Sequence, residues 1–581
     1  MDDPHVRMRD HLAAIYGPEV GASTAAQLAT MLATFAASRP LPAASRQPST
    51  ADRLTQDDVI LITYGDQVRE PGRPPLQSLS ELLDGPFAGI VGGVHILPFY
   101  PYTSDDGFSV VDYLAVDPAL GAWEDVERLA GSYRLMFDAV VNHVSASSQW
   151  FRDFLAGVPG AERRFHIVDP STDLRAVTRP RTTPLLTPFE TPGGTRYVWT
   201  TFSADQIDLN YGSPELLLEM TAVLLEYVAR GAGLIRLDAI GYLWKEIGTR
   251  CIHLPQAHRV VQLWRASLDA VAPGVLLITE TNVPHADNIS YFGDGTNEAQ
   301  LVYQFPLAPL VLHAFATGDA TRLSGWATGL EPPSPATAFF NFLASHDGIG
   351  VVPATGILTA DEVAGLCAQV ERHGGRVSYK NNPDGSQSPY ELNCTWFDAL
   401  SDPASAEPRE RQVDRFVCSQ AIMLALQGVP GVYVHSLLGS GNNHAGFTET
   451  GRARTLNREK WERAELEARL ADPARREGAV LRRMADLIRA RRREPAFHPA
   501  APQRVLDLGP ALFAIERGAP GASGSVLCLH NVAGAPRVVH YTAGPGAAFT
   551  ELLSGETLAV APDGSLAVEL PAYGVRWLRR A

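Results

Sequence analysis

Eight short apolar, β-branched runs, each set apart from the next by a longer amphipathic stretch, constrain this chain more than any other feature. They read Val59 to Thr63, Val94 to Leu97, Leu135 to Val140, Leu234 to Ala239, Val275 to Thr279, Leu301 to Phe305, Ala338 to Leu343, and Gly431 to Val434. Short apolar runs of this kind suit strands buried on both faces, and a helix between two such strands returns the chain to a parallel neighbour. The alternation therefore predicts βα units. Eight is the number with which a parallel sheet closes, so the expected fold is α/β, a (β/α)8 barrel.

The remainder of the 581 residues is expected to be attached to that barrel. Residues 1–58 read as an N-terminal helical extension, with Leu12, Ile15, Tyr16, Leu28, Met31, Leu32 and Phe35 at helical spacing, ended by Pro40, Pro42 and a Ser/Arg-rich stretch. The barrel occupies 59–500. Two long insertions, 145–211 after the third strand and 348–414 after the seventh, fall on the side where barrel enzymes build their active sites, and such loops are functional covers more often than accidents. The charged stretch Arg458 to Arg493 reads as helical with a solvated outer face. Alternating segments such as VLCLHNV and LAVELPA place a small antiparallel β-domain over 503–581.

A hydrophobic share of 45% supplies a large core, and a formal net charge of -15 excludes a general polyanion binder, because nucleic acid demands a basic field. Arginines gathered in one loop can still form a local positive site. Cys251, Cys367, Cys394, Cys418 and Cys528 are scattered without CxxC spacing, which points to buried thiols. The start, MDDPHVRMRDHL, has no basic segment followed by an apolar one, and no uninterrupted apolar run reaches the length of a membrane span. The expectation is a soluble cytoplasmic protein with no nucleic-acid or membrane partner. No feature of the sequence specifies an oligomeric state.

Breaking a glycosidic bond with retention requires two carboxyl groups flanking the anomeric carbon and a further group to stabilise positive charge on the ring. Acidic residues stand at the carboxyl ends of the third (Asp138), fourth (Asp238), fifth (Glu280) and seventh (Asp347) runs. A single strand-end carboxylate is as readily a loop cap or an ion-pair partner. Four in phase with the strand count are hard to dismiss.

The segments DAVVNH (Asp138 to His143), GLIRLDAIGY (Gly233 to Tyr242), LLITETN (Leu276 to Asn282) and FLASHDGIG (Phe342 to Gly350) resemble the α-amylase superfamily of glycoside hydrolases and transglycosidases, from about Val59 to the C-terminal β-domain. The resemblance implies Asp238 as nucleophile, Glu280 as general acid/base and Asp347 as the carboxylate that stabilises the transition state. Arg236, two residues before Asp238 and so on the same face of the strand, is implied to hold the nucleophile ionised. His143 and His346 are implied ligands of the glucosyl unit, while Asp138 organises the site rather than reacting.

Within the superfamily, HILPFYPYTSDDGFSVVDY is similar to the corresponding stretch of the sucrose phosphorylase group. That likeness implies that Asp105 and Arg458 close around the glucosyl 4-hydroxyl and that Phe108 is an aromatic platform, although core packing is the plain alternative for Phe108. A pocket closed there takes one glucosyl unit, which is passed to inorganic phosphate to give α-glucose 1-phosphate. Inorganic phosphate is then a co-substrate, and no cofactor or metal is implied.

Ser388-Pro389-Tyr390 departs from the sucrose phosphorylase pattern, which has an acid where Ser388 stands; Tyr390 is retained. The loop after the third run carries Arg163, Arg164, Arg175, Arg179 and Arg181, and VTRPRTTPLLTPF resembles glucosylglycerate phosphorylases. Guanidinium groups clamp carboxylate or phosphate in pairs, so Arg179 and Arg181 are expected to bind substrate. The expected activity is reversible, retaining phosphorolysis of a small α-glucoside, glucosylglycerate first. The alternatives are sucrose or sucrose 6'-phosphate phosphorolysis, an α-glucosidase or transglucosidase, and an inactive barrel acting as a binding subunit.

Overall fold

The computed structural model describes residues 3–38, 53–382, 384–544 and 546–581. Eight parallel strands close into a barrel in sequential order: β1 (Ile60–Thr63), β2 (Gly93–Ile96), β3 (Arg134–Ala139), β4 (Ala232–Leu237), β5 (Leu276–Thr279), β6 (Leu301–Tyr303), β7 (Ala338–Asn341) and β8 (Val429–Tyr433). β8 returns to pair with β1, Ile60 opposite Gly431. Nearly every strand residue is buried, as sheets covered on both faces require, and this explains the mainly apolar runs in place of alternation.

The N-terminal extension is two helices, α1 (Pro4–Tyr16) and α2 (Pro18–Ser38). Both lean on barrel helices: α1 packs on α4 (Pro255–Val271), and α2 on α4 and on α3 (Pro214–Ala229). Met8, Leu12, Leu28 and Leu32 are buried there, Arg7 pairs with Asp269 at 2.8 Å, and the Tyr16 hydroxyl donates to the carbonyl of Tyr211. Pro40 and Pro42, expected to end the extension, lie outside the described residues. Although Ser and Thr interrupt its apolar run, α2 is by length and composition apolar enough to cross a membrane, its abundant alanines raising the average. Here it serves as a packing helix.

The two insertions carry more regular structure than long loops. The first contains the hairpin Leu186–Thr191/Gly194–Trp199, and pairs His143–Ser145 with Gln206–Asp208. The second folds a helix, Ala360–Arg372, over a three-stranded antiparallel sheet of Ile349–Gly350, Gln387–Asn393 and Arg376–Asn381. Gly348 allows this sheet to close on the loop after β7: a Cβ there would stand 2.8 Å from Glu391 Cβ.

The stretch 458–493 is helical with charged residues such as Glu465, Arg482 and Asp486 exposed on its outer side, and its other side is buried. It holds two helices, Arg463–Ala471 and α6 (Arg476–Arg493), and α6 buries Val480, Met484, Leu487 and Ile488 against α5 (Arg409–Ala425). Arg491 is fully buried because its guanidinium caps the carbonyls of Leu424 and Gly428, hydrogen bonding that a charge count along the sequence does not reveal. Beyond it, strands from Gln503–Leu506 to Val575–Arg580 form a six-stranded sheet with a separate two-stranded ribbon. All five cysteines are buried free thiols.

Candidate active site

The site rises from the carboxyl ends of the barrel strands. Asp138 on β3 and Arg236 on β4 are register partners on neighbouring parallel strands, so both side chains turn into the barrel. Arg236, 1% exposed, donates to Asp138 and, at 2.9 Å, to Asp238; its other amino group lies 3.7 Å from Glu280. One guanidinium thus gathers three carboxylates. His95 on β2, which sequence reasoning passed over, sits 2.6 Å from the far oxygen of Asp138. Burial alone would raise Asp138, but Arg236 and His95 outweigh it and hold the carboxyl at about 2. Asp138 is therefore a fixed anion beneath the cavity floor.

Asp238 follows β4 directly and Glu280 follows β5 directly. Between them the chain turns sharply: Ala239 has φ +51°, a left-handed conformation costing an ordinary residue about 1–2 kcal/mol, and its amide is thereby aimed at Glu280 Oε2, 3.3 Å away. Burial raises both carboxyls, Asp238 to about 7 against the pull of Arg236, and Glu280 to about 8 with Asp238 and Asp347 adding to the rise. Arg236 lies nearer Asp238, so Asp238 ionises first and Glu280 keeps the proton. An anion and an acid facing one cavity is the division of labour that a double displacement needs.

One wall is aromatic. Phe108 and His346 stack face to face, centroids 4.7 Å apart and 4° from parallel, and His143 Nε2 donates to the Phe108 carbonyl at 2.9 Å. Burial lowers both histidines, and His346 is held well below its usual range, so both rings are neutral. Phe108 also lies under Arg236, whose central carbon is 5.5 Å from the ring. The stack packs and lines the cavity at once.

Beside this stack the wall centres on Arg454, which the sequence reading missed. It contacts Asp347 at 2.6 Å, grips both oxygens of Glu391 at 2.8 and 3.1 Å, and reaches Asp105 at 3.8 Å. Burial would raise Asp347; Arg454, then His346 and Arg458, overcome it and keep that carboxyl well below the carboxylate range. Asp105 and Arg458, expected to close around one sugar hydroxyl, stand 3.6 Å apart, and Asp106 joins them. Arg458 bonds Asp106 at 2.7 Å and the carbonyl of His346 at 2.7 Å, leaving Asp105 at 3.6 Å. The reason is local: Asp105 and Asp106 both adopt left-handed backbone, which turns Asp106 toward Arg458 and leaves Asp105 lining the cavity. Arg458 lines the wider vestibule outside.

The two arginines expected to bind substrate separate. Arg181 enters the cavity, its guanidinium carbon 5.2 Å from the Tyr390 ring and 5.9 Å from Phe202, with Glu391 at 4.0 Å. Arg179 does not join it: it donates to the Thr183 carbonyl and faces a different cleft, because two residues on an irregular loop need not share a side. Arg163, Arg164 and Arg175 engage Glu215, Glu219 and Asp173, the solvated ion pairs that surface arginines usually make. Phe202, Gln206, Tyr242 and Asn282 also line the cavity. Tyr242 and Asn282 close two of the quoted motifs, whereas Phe202, Gln206 and Glu391 carry no sequence signal beyond lying in the two insertions.

Residues 89–328 match the family model described as alpha amylase, catalytic domain, and 524–579 match that of the sucrose hydrolase-like C-terminal domain. The glucosylglycerate phosphorylase of Allomeiothermus silvanus is 58% identical over 84% of this chain and 87% of its own. The chain belongs to the glucosylglycerate phosphorylase family. A second glucosylglycerate phosphorylase, from Spirochaeta thermophila, is 47% identical over 99% of both chains, so that match includes the N-terminal helices. Among solved structures, the sucrose 6F-phosphate phosphorylase of Thermoanaerobacter thermosaccharolyticum superimposes with a TM-score of 0.72 at 24% identity, over 91% of this chain and 100% of that one, which establishes the shared fold. Glucosylglycerate phosphorylases are glycosyl-transferring enzymes, and the cavity above has the acidic pair such an enzyme requires.

Proposed function

We propose that this chain catalyses the reversible phosphorolysis of glucosylglycerate to α-glucose 1-phosphate and glycerate with retention at the anomeric carbon. The observation that carries the reading is the pair Asp238 and Glu280, at the ends of adjacent strands, facing one cavity and sharing the guanidinium of Arg236 in a chain 58% identical to a glucosylglycerate phosphorylase.

Asp238, ionised beside Arg236, attacks the anomeric carbon while Glu280 gives its proton to the departing glycerate oxygen. This forms the covalent glucosyl-enzyme and leaves Glu280 ionised. Phosphate enters the space vacated by glycerate, Glu280 takes a proton from it, and its oxygen displaces Asp238 with a second inversion. His143, His346, Asp347 and Asp105 hold the sugar hydroxyls, and Phe108 backs the ring. On the acceptor side, Arg181 and Tyr390 suit a ligand that alternates between a carboxylate and a phosphate: both are anions, and a planar guanidinium grips either. Arg458 acts from behind, tying Asp106 to the carbonyl of His346.

The test is glucose 1-phosphate release by the purified protein from glucosylglycerate and from sucrose, with and without phosphate. Phosphate-dependent release from glucosylglycerate is expected. Release from sucrose alone, or glucose formation independent of phosphate, overturns the reading. Asp238→Asn abolishes turnover with an unaltered circular dichroism spectrum; retained activity removes the mechanism.

A further inference from the structure

The insertion after β3 and the sheet inserted after β7 meet a second time, away from the catalytic cavity. Between them lies a cleft lined by Arg175, Thr178, Arg179, Arg250, Lys380 and Asn381, and none of its lining residues belongs to the catalytic cavity or its vestibule. Thr178 is tied across to the next segment by its amide, which donates to the Arg250 carbonyl at 3.0 Å.

The charge in this cleft is one-sided. Arg175 is neutralised by Asp173, with bonds of 2.9 and 2.7 Å. Among the described residues no carboxylate pairs with Arg179, Arg250 or Lys380. Arg179 spends one amino group on the Thr183 carbonyl, while its Nε is buried with no partner at all. Burial lowers Arg179, and burial with the neighbouring charge of Arg250 lowers Lys380, so Arg250 and Lys380 are close neighbours and all three cations line the same cleft. In a chain of net charge -15, acidic partners are plentiful and their absence here is local.

We propose that this cleft is a second anion-binding site that takes a phosphate group, free or as a sugar monoester. A phosphate dianion brings two negative charges and at least three terminal oxygens to two guanidinium groups and an ammonium, with Thr178 and Asn381 as neutral donors beside them; a carboxylate brings one charge and leaves more of the cleft's positive charge unbalanced. Phosphate would also satisfy the stranded Nε of Arg179.

Equilibrium dialysis of radiolabelled inorganic phosphate against the full chain and against the double variant Arg250→Ala/Lys380→Ala tests this. Arg250 is exposed and Lys380 stands on the inserted hairpin, so neither truncation opens the core. The double variant is expected to lose one bound equivalent, or to hold it at least about tenfold more weakly, as removal of charged donors entails. Lys380→Arg is expected to keep it, which separates charge from any disturbance of the hairpin. Competition by glucose 1-phosphate at comparable affinity assigns the site to the phosphate group in either form, and no competition assigns it to free phosphate. Equal stoichiometry and affinity in wild type and double variant, or displacement by chloride as effective as by phosphate at matched ionic strength, overturns the proposal.

Discussion

Arg454→Leu is the most informative single change, because the structure gives Arg454 three carboxylate partners. Breaking a buried ion pair by removing one member costs about 3–5 kcal/mol, since the other charge stays buried without compensation. Here the lower end applies. Asp347 keeps His346 at 3.5 Å and Arg458 at 3.8 Å, and Glu391 keeps Arg181 at 4.0 Å. With an unfolding entropy of ~2 cal/mol/K per residue spread over 581 residues, ~3 kcal/mol corresponds to a Tm lower by about 2.5 °C. The depressed pKa of Asp347 adds a second signature. A carboxyl held below its unfolded value stabilises the fold above that value and loses the contribution as pH falls through the folded one. Removing Arg454 raises Asp347 toward the ordinary range, so the variant unfolds in acid at a higher pH than wild type. Asp347 also touches the sugar in the proposed mechanism, and losing its charged partner should lower kcat/KM by roughly tenfold to a hundredfold. Thermal melts at neutral and acid pH, with phosphate-dependent glucose 1-phosphate release, measure all three. An unchanged melt at both pH values together with unchanged kcat/KM would refute the claim that Arg454 secures Asp347.

Further consequences can be checked alongside. Because Asp238 must be ionised and Glu280 protonated, with values of about 7 and 8, kcat/KM for phosphorolysis should fall on the acid side as Asp238 gains a proton and on the alkaline side as Glu280 loses one; a profile flat across both values contradicts the assignment. Arg181→Ala should raise KM for glucosylglycerate by about tenfold or more while slow hydrolysis of the glucosyl-enzyme continues, and an unaltered KM removes Arg181 from the acceptor side. Leu12→Ala, fully buried where α1 meets α4, should cost about 3 kcal/mol and expose the N-terminal helices to protease before activity is lost; unaltered proteolysis would show that these helices do not depend on that contact.

What the sequence determined by itself was the part governed by local pattern. Eight short apolar runs alternating with longer amphipathic stretches are the pattern of parallel strands covered on both faces, so the barrel and its eight strands stood close to where the structure has them. Asp238 and Glu280 sit directly after their strands, and that phase survives folding because strand length and loop side are local properties. The helical spacing of Leu12, Leu28 and Leu32 likewise carried through to α1 and α2.

Tertiary structure alone decided which charges meet. Arg454 and Glu391 lie 63 positions apart, and Arg454 and Asp347 107, so no spacing rule joins them; the inserted sheet folding onto the barrel mouth does. It also decided that Asp106 joins Asp105 beside Arg458 and makes the shorter contact, 2.7 Å against 3.6 Å, through a left-handed turn that aspartate tolerates but no composition announces. The same cause sent Arg181 into the catalytic cavity and Arg179, two residues away, into another cleft. Strands alternate predictably and irregular loops do not, so the direction of a loop side chain is set by what the loop packs against.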